Sequence, residues 1–146
     1  MNTLQIDDKI SVPGFLGAFA YDELPEKNQD NFSLVINTEV GSKPGDHWVA
    51  LIKKEQQLFF LDSYGRNVKD STFPSGFTTA ILKYIGNSKW KFNSRWLQQL
   101  TSNTCGEYCV YFIEELGKRS LDRALAIFSD NLAENDRTVV EYVKYL

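Results

Sequence analysis

Few side chains in this sequence can make or break bonds at neutral pH. Its 146 residues include one histidine, His47, and two cysteines, Cys105 and Cys109. Cys105 follows the polar stretch Gln98-Gln99-Leu100-Thr101-Ser102-Asn103-Thr104 and opens the run Gly106-Glu107-Tyr108-Cys109-Val110-Tyr111-Phe112-Ile113, which reads as the start of an apolar helix. The first turn of a helix has unpaired N–H groups and the positive end of the dipole, and both stabilise an anion. A thiol placed there is shifted toward thiolate, the nucleophilic form. Such a nucleophile needs a base, and the base needs a group to orient it. His47 is the one imidazole present, and Asp62 is the candidate orienting group. A carboxylate that accepts a hydrogen bond from one ring nitrogen fixes the tautomer and stabilises the imidazolium. Gln98 and Gln99, seven and six residues before Cys105, offer a side-chain amide that can join the Cys105 N–H in holding an oxyanion.

The chemistry of that set is acyl transfer by a cysteine protease. His47 takes the thiol proton, the thiolate attacks a carbonyl, and the proton passes to the leaving amine. Taken singly, each residue has a plainer reading. A buried Cys is a small hydrophobe, a His beside Trp48 is a packing residue, and an Asp before a turn is a turn former. The combination in one order is what points to a site. Cys109, one helical turn beyond Cys105, reads as a buried core thiol.

The elements that must position these residues follow from patterning. Residues 47–53 and 57–61 have the length and β-branched, aromatic content of a hairpin. His47 begins the first strand and Asp62 ends the second, so they share one end of a ladder whose strands are about 4.8 Å apart. Residues 32–38 read as a buried strand, residues 76–85 as a helix stopped at Gly86, and residues 105–116 as the cysteine helix ending at Gly117. Residues 89–97 offer an edge strand, and residues 123–128 and 138–145 two further helices. Residues 1–12 read as an irregular arm or a short helix, and residues 12–25, rich in Gly, Pro and aromatics, as a packed loop. Trp48, Tyr64 and Trp96 are candidates for cleft walls.

The bulk properties fit one ordinary domain spanning 1–146, with 42% hydrophobic and 24% charged residues. A net charge of −3 argues against a dedicated nucleic-acid binder. No apolar window of membrane-spanning length is present, and residues 1–9 lack the pattern of a signal peptide. These readings predict an intracellular, reducing compartment with both cysteines as free thiols. Two sulfurs and one imidazole fall short of the four ligands of structural zinc, so no metal or other cofactor is expected.

His47-Trp48, Leu61-Asp62-Ser63-Tyr64-Gly65 and residues 98–109 resemble the motifs of the adenovirus-type endopeptidases, the adenains, within the superfamily that includes the SUMO-specific Ulp proteases. Phe15-Leu16-Gly17 and Val35-Ile36-Asn37-Thr38 are also similar to the early part of adenain. The resemblance implies an α+β, papain-like fold, with a small mostly antiparallel sheet flanked by helices and the nucleophile at the start of a central helix. It implies His47 as base, Cys105 as nucleophile and Asp62 at the acidic position, where adenoviral enzymes use Glu. Counting back as in adenain selects Gln98 for the oxyanion hole; counting as in Ulp proteases selects Gln99. Gln98 is favoured, because the residues around Cys105 follow the adenain style.

The substrates implied are capsid and core precursors of an adenovirus-related virus or a Maverick/Polinton element, cut during maturation in the host nucleus, the cytoplasm or the virion. An activating peptide is implied too. With no third cysteine its attachment would not be covalent, and the acidic balance argues against DNA as an activator. The alternatives are a Ulp-type isopeptidase acting on SUMO or ubiquitin conjugates and a catalytically silent peptide-binding module.

Overall fold

A computed structural model describes residues 1–27 and 29–146. Along the chain the elements are α1 (Thr3–Lys9), β1 (Phe15–Ala20), β2 (Phe32–Asn37), β3 (Trp48–Lys54), β4 (Gln57–Leu61), α2 (Ser75–Ile85), β5 (Trp90–Phe92), α3 (Cys105–Leu116), α4 (Leu121–Leu125) and α5 (Leu132–Lys144). The architecture is α+β. One five-stranded mixed sheet has its strands in sequence order, β1 to β5.

The β3–β4 hairpin forms as its composition predicts. Lys54 pairs with Gln57 across a two-residue turn in which Glu55 and Gln56 both take positive φ, 52° and 68°. A turn of that kind matches the right-handed twist of the flanking strands. Strand β2 is buried along its whole length and pairs antiparallel with β3, so β3 lies at the centre of the sheet.

Alternation along the strands sends side chains to two separate cores. Leu34, Ile36, Val49, Leu51 and Phe60 pack against Phe77 and Ile81 of α2. Val35, Ala50, Ile52 and Leu61 pack on the other face against Tyr108, Cys109 and Phe112 of α3 and Val139 of α5. Burial of side chains of this size contributes about 1.5–3 kcal/mol each. Helix α3 is therefore clamped between the sheet and α5, and its first residue, Cys105, is held at a fixed height over the end of β3.

Three expectations need correction. Residues 12–25 contain strand β1 and are not a packed loop throughout. Gly17, at φ 124°, accompanies a register shift between Phe15 and Ala18, and that irregularity hides the strand's period. The sheet is also less antiparallel than expected: only β2–β3 and β3–β4 are antiparallel, while both edge strands pair parallel. Parallel pairing requires long crossovers, which no local pattern announces. The last helix begins at Leu132, six residues earlier than expected. There the Asn131 side chain accepts the Glu134 N–H at 3.1 Å and caps the helix.

Candidate active site

Cys105 is the first residue of α3, and the first helical hydrogen bond runs from the Tyr108 N–H to the Thr104 carbonyl at 3.1 Å. The N–H groups of residues 105–107 precede it and have no partner within the helix. Thr104, at the cap position, makes no capping bond through its side chain. The donors of the first turn are thus left for an anion. Met1 packs over this turn: a Cβ on Gly106 would lie 3.0 Å from that of Met1. The Met1 carbonyl accepts from Trp48 Nε1 at 3.0 Å.

His47 lies immediately before β3. The loop leading to it is pinned by Asn37, whose Oδ1 accepts the N–H groups of Glu39 at 2.9 Å and Asp46 at 3.0 Å. His47 Nε2 lies 2.6 Å from Asp62 Oδ1, which leaves Nδ1 for the thiol. Asp62 follows β4 and is fully buried. Its Oδ2 accepts Arg66 Nε at 2.7 Å, and its main chain is paired with the Asn93 amide at 3.1 and 2.8 Å. The Arg66 guanidinium in turn lies 3.9 Å above the Phe73 ring.

The electrostatics follow from these contacts. Burial pulls the His47 imidazole down, but hydrogen bonds to Asp62 and Cys105 and the charges behind them outweigh it and raise its pKa to about 9. Burial pushes the Cys105 thiol up, but His47 and the Trp48 backbone N–H outweigh that and hold it below the ordinary thiol value of 9.0. Burial also opposes the Asp62 charge, yet His47 and Arg66 keep its carboxyl below the usual 3.8. All three directions favour a thiolate–imidazolium pair backed by a carboxylate. Cys109 has no such partners, and burial drives its thiol well above 9.0.

Gln98 is buried beside this set. Its Oε1 accepts the Ser63 hydroxyl at 2.5 Å, and its Nε2 donates to the Ser102 carbonyl and hydroxyl oxygens, each at 3.1 Å. The Ser63 carbonyl accepts the N–H groups of Leu97 and Gln98 at 2.8 and 3.2 Å, tying this segment to the turn after Asp62.

A cleft of about 730 Å³ is lined by His47, Cys105, Gln98, Trp48 and Tyr64, among others. The cleft thus gathers His47, Gln98 and Cys105, with Asp62 buried behind His47. Gln99 is not among the cleft residues; its N–H points to Asp136. Trp96 is not a wall either. It is half-exposed, and its ring packs edge-on against Tyr64 at 5.5 Å.

Sequence reasoning missed Arg66, Ser63, Ser102 and Asn93, which hold the site residues in place. Only Ser63 carried a signal, through its place in the Asp62–Gly65 turn. Among the described residues no three His, Cys, Asp or Glu side chains are grouped as metal ligands. No helix among the described residues is long and apolar enough to cross a membrane. No family model and no curated protein matches the chain.

Proposed function

We propose that this chain is a cysteine endopeptidase of the adenain/Ulp kind, with a papain-like arrangement of helix and sheet. The observation that carries the reading is the buried 2.6 Å contact between His47 Nε2 and Asp62 Oδ1, with Cys105 opening α3 in the same cleft. A binding module gains nothing from a buried, charge-shifted Cys–His–Asp set.

In the reaction, His47 holds the thiol proton and the Cys105 sulfur attacks the scissile carbonyl carbon. The oxyanion is taken by the Cys105 N–H and by one N–H of Gln98, which it wins from the Ser102 hydroxyl. The His47 Nδ1 proton passes to the leaving amine, and a water deprotonated by His47 then hydrolyses the thioester. Throughout, Asp62 keeps the imidazole on Nε2, and Arg66 keeps Asp62 ionised.

The substrates are proteins or peptides. By the resemblance they are capsid and core precursors of an adenovirus-related virus or a virus-like element, cut in a reducing host compartment or within the particle, with a non-covalent activating peptide as a possible partner.

The test is turnover of two fluorogenic substrates, a peptide with small residues at the cut and a SUMO or ubiquitin C-terminal amide, by wild type and Cys105→Ala. Peptide cleavage by wild type alone is the expected result. Preference for the modifier replaces the endopeptidase by an isopeptidase. Equal activity of Cys105→Ala overturns the reading, and so does silence on both substrates combined with equal iodoacetamide labelling of Cys105 and Cys109.

A further inference from the structure

We propose that Asp136, on α5, is a positioning residue for the oxyanion side of the cleft, clamping both ends of the segment that carries Gln98 to the helix that carries Cys105. This inference rests on the proteolytic reading above. Asp136 is more than nine-tenths buried, yet none of the ion pairs among the described residues involves it. Its carboxylate spends its lone pairs on three donors. Oδ1 accepts the Tyr108 hydroxyl at 2.8 Å and the Thr104 hydroxyl at 3.1 Å, and Oδ2 accepts the Gln99 N–H at 3.4 Å.

The placement of those donors gives the carboxylate its meaning. Gln99 directly follows Gln98, Thr104 directly precedes Cys105, and Tyr108 lies on α3 itself, one turn past the nucleophile. One side chain thus spans residues 99–104 from end to end. The adjoining Asn135 extends the grip: its Nδ2 donates to the Leu97 carbonyl at 3.2 Å.

Burying a carboxylate is costly without close partners, and an apolar residue would fill a core position with less penalty. Here the partners belong to the two segments that must stay in register for an oxyanion to meet donors from both. A shift of about 1 Å in such a donor lowers turnover by as much as about 10²-fold.

Asp136→Leu removes all three acceptor contacts, whereas Asp136→Asn keeps the shape and one acceptor oxygen. The readouts are kcat and KM on the peptide, the rate of Cys105 alkylation by iodoacetamide, and amide hydrogen exchange. Alkylation needs the thiolate but no oxyanion hole, so it separates the clamp from the nucleophile. For Asp136→Leu the expected result is kcat lower by about tenfold or more, KM and alkylation rate within about threefold of wild type, and faster exchange confined to residues 98–104. Asp136→Asn should fall between it and wild type.

A kcat within twofold of wild type overturns the proposal. So does a joint fall of kcat, alkylation rate and unfolding midpoint, which marks a merely structural residue. If Asp136→Leu does not fold, Asp136→Asn is judged by the same criteria. If wild type turns over neither substrate, hydrogen exchange decides independently of the proteolytic reading: faster exchange confined to residues 98–104 sustains the clamp, and unchanged exchange overturns it.

Discussion

The Tyr64 ring lies flat against the His47 imidazole, with centroids 5.0 Å apart and planes 16° apart. Asp62 holds one nitrogen of the imidazole and Cys105 the other, which leaves the ring free to rock about the line between them. The stacked phenol removes that freedom, and Trp96 backs it at 5.5 Å. A stack of this kind contributes about 0.5–1.5 kcal/mol. Tyr64→Ala should therefore lower kcat/KM by about 2- to 12-fold. Tyr64→Phe, which keeps the ring, should match wild type. Loss of activity in both variants would assign the role to the hydroxyl instead.

The coupled shifts at Cys105 and His47 set a pH profile. Below the acid limb the thiol is protonated, and that limb should lie under the ordinary thiol value of 9.0 because the Cys105 pKa is lowered. Above about pH 9 His47 loses its proton and can no longer donate to the leaving amine. Peptide turnover should be bell-shaped between the two, while iodoacetamide alkylation of Cys105 should show only the acid limb. His47→Ala should move that limb upward, toward 9.0. Cys109, fully buried with a raised pKa, should stay unlabelled until the protein unfolds. An acid limb that does not move in His47→Ala would remove the imidazole from the role of base.

Arg66 contributes through Asp62. Replacing it by Met keeps a stem against Phe73 but leaves a buried carboxylate with His47 as its one ionic partner. Breaking a buried pair costs several kcal/mol, and Arg66 is partly solvated, so Arg66→Met should lower stability at pH 7 by about 2 kcal/mol. Asp62 is depressed below 3.8 in the fold, so its contribution is present above that pH and is lost as pH falls through the folded value. Without Arg66 the folded value rises. The stability gap between wild type and variant should then be constant from pH 7 to about pH 5 and close toward pH 3. Urea unfolding at the three pH values measures it; a gap of equal size at pH 3 would show that packing on Phe73, not charge, is the cause.

What could be read in advance depended on whether a residue's partner was near it in sequence. His47 and Asp62 are joined by a short hairpin, and Cys105 announces itself by opening a helix, so local patterning brought all three to one place. Gln98 was preferred to Gln99 only through the adenain-style count, because spacing along a loop does not say which side chain turns inward. Strand β1 was missed because Gly17 breaks its alternation and its partner β2 lies across a crossover. Arg66 lay outside every predicted element, and Asp136 lay just upstream of where the last helix was expected to begin. Each works through a contact set by three-dimensional packing, and neither residue type signals it.

The turn that follows β4 offers the sharpest mutational test of how the site is built. Gly65 donates its N–H to the Asp62 carbonyl at 2.7 Å, closing the turn that carries Ser63 and Tyr64. Its φ is +74°, a conformation that costs a residue with a Cβ about 1–2 kcal/mol. A Cβ there would also lie 2.5 Å from the Arg95 carbonyl oxygen, 2.6 Å from its carbon and 2.8 Å from its nitrogen. All three are backbone atoms two residues from Leu97, whose N–H is held by Ser63, so the neighbour cannot yield without pulling the Gln98 segment with it. Overpacking of this kind adds about 1–3 kcal/mol. Gly65→Ala should therefore lose about 2–5 kcal/mol of stability. Where it still folds, kcat should fall more than the rate of Cys105 alkylation, because the disturbance reaches Gln98 and leaves the thiolate in place. A variant with wild-type stability and turnover would mean that the turn and the Arg95 backbone are not as close in solution as they are here.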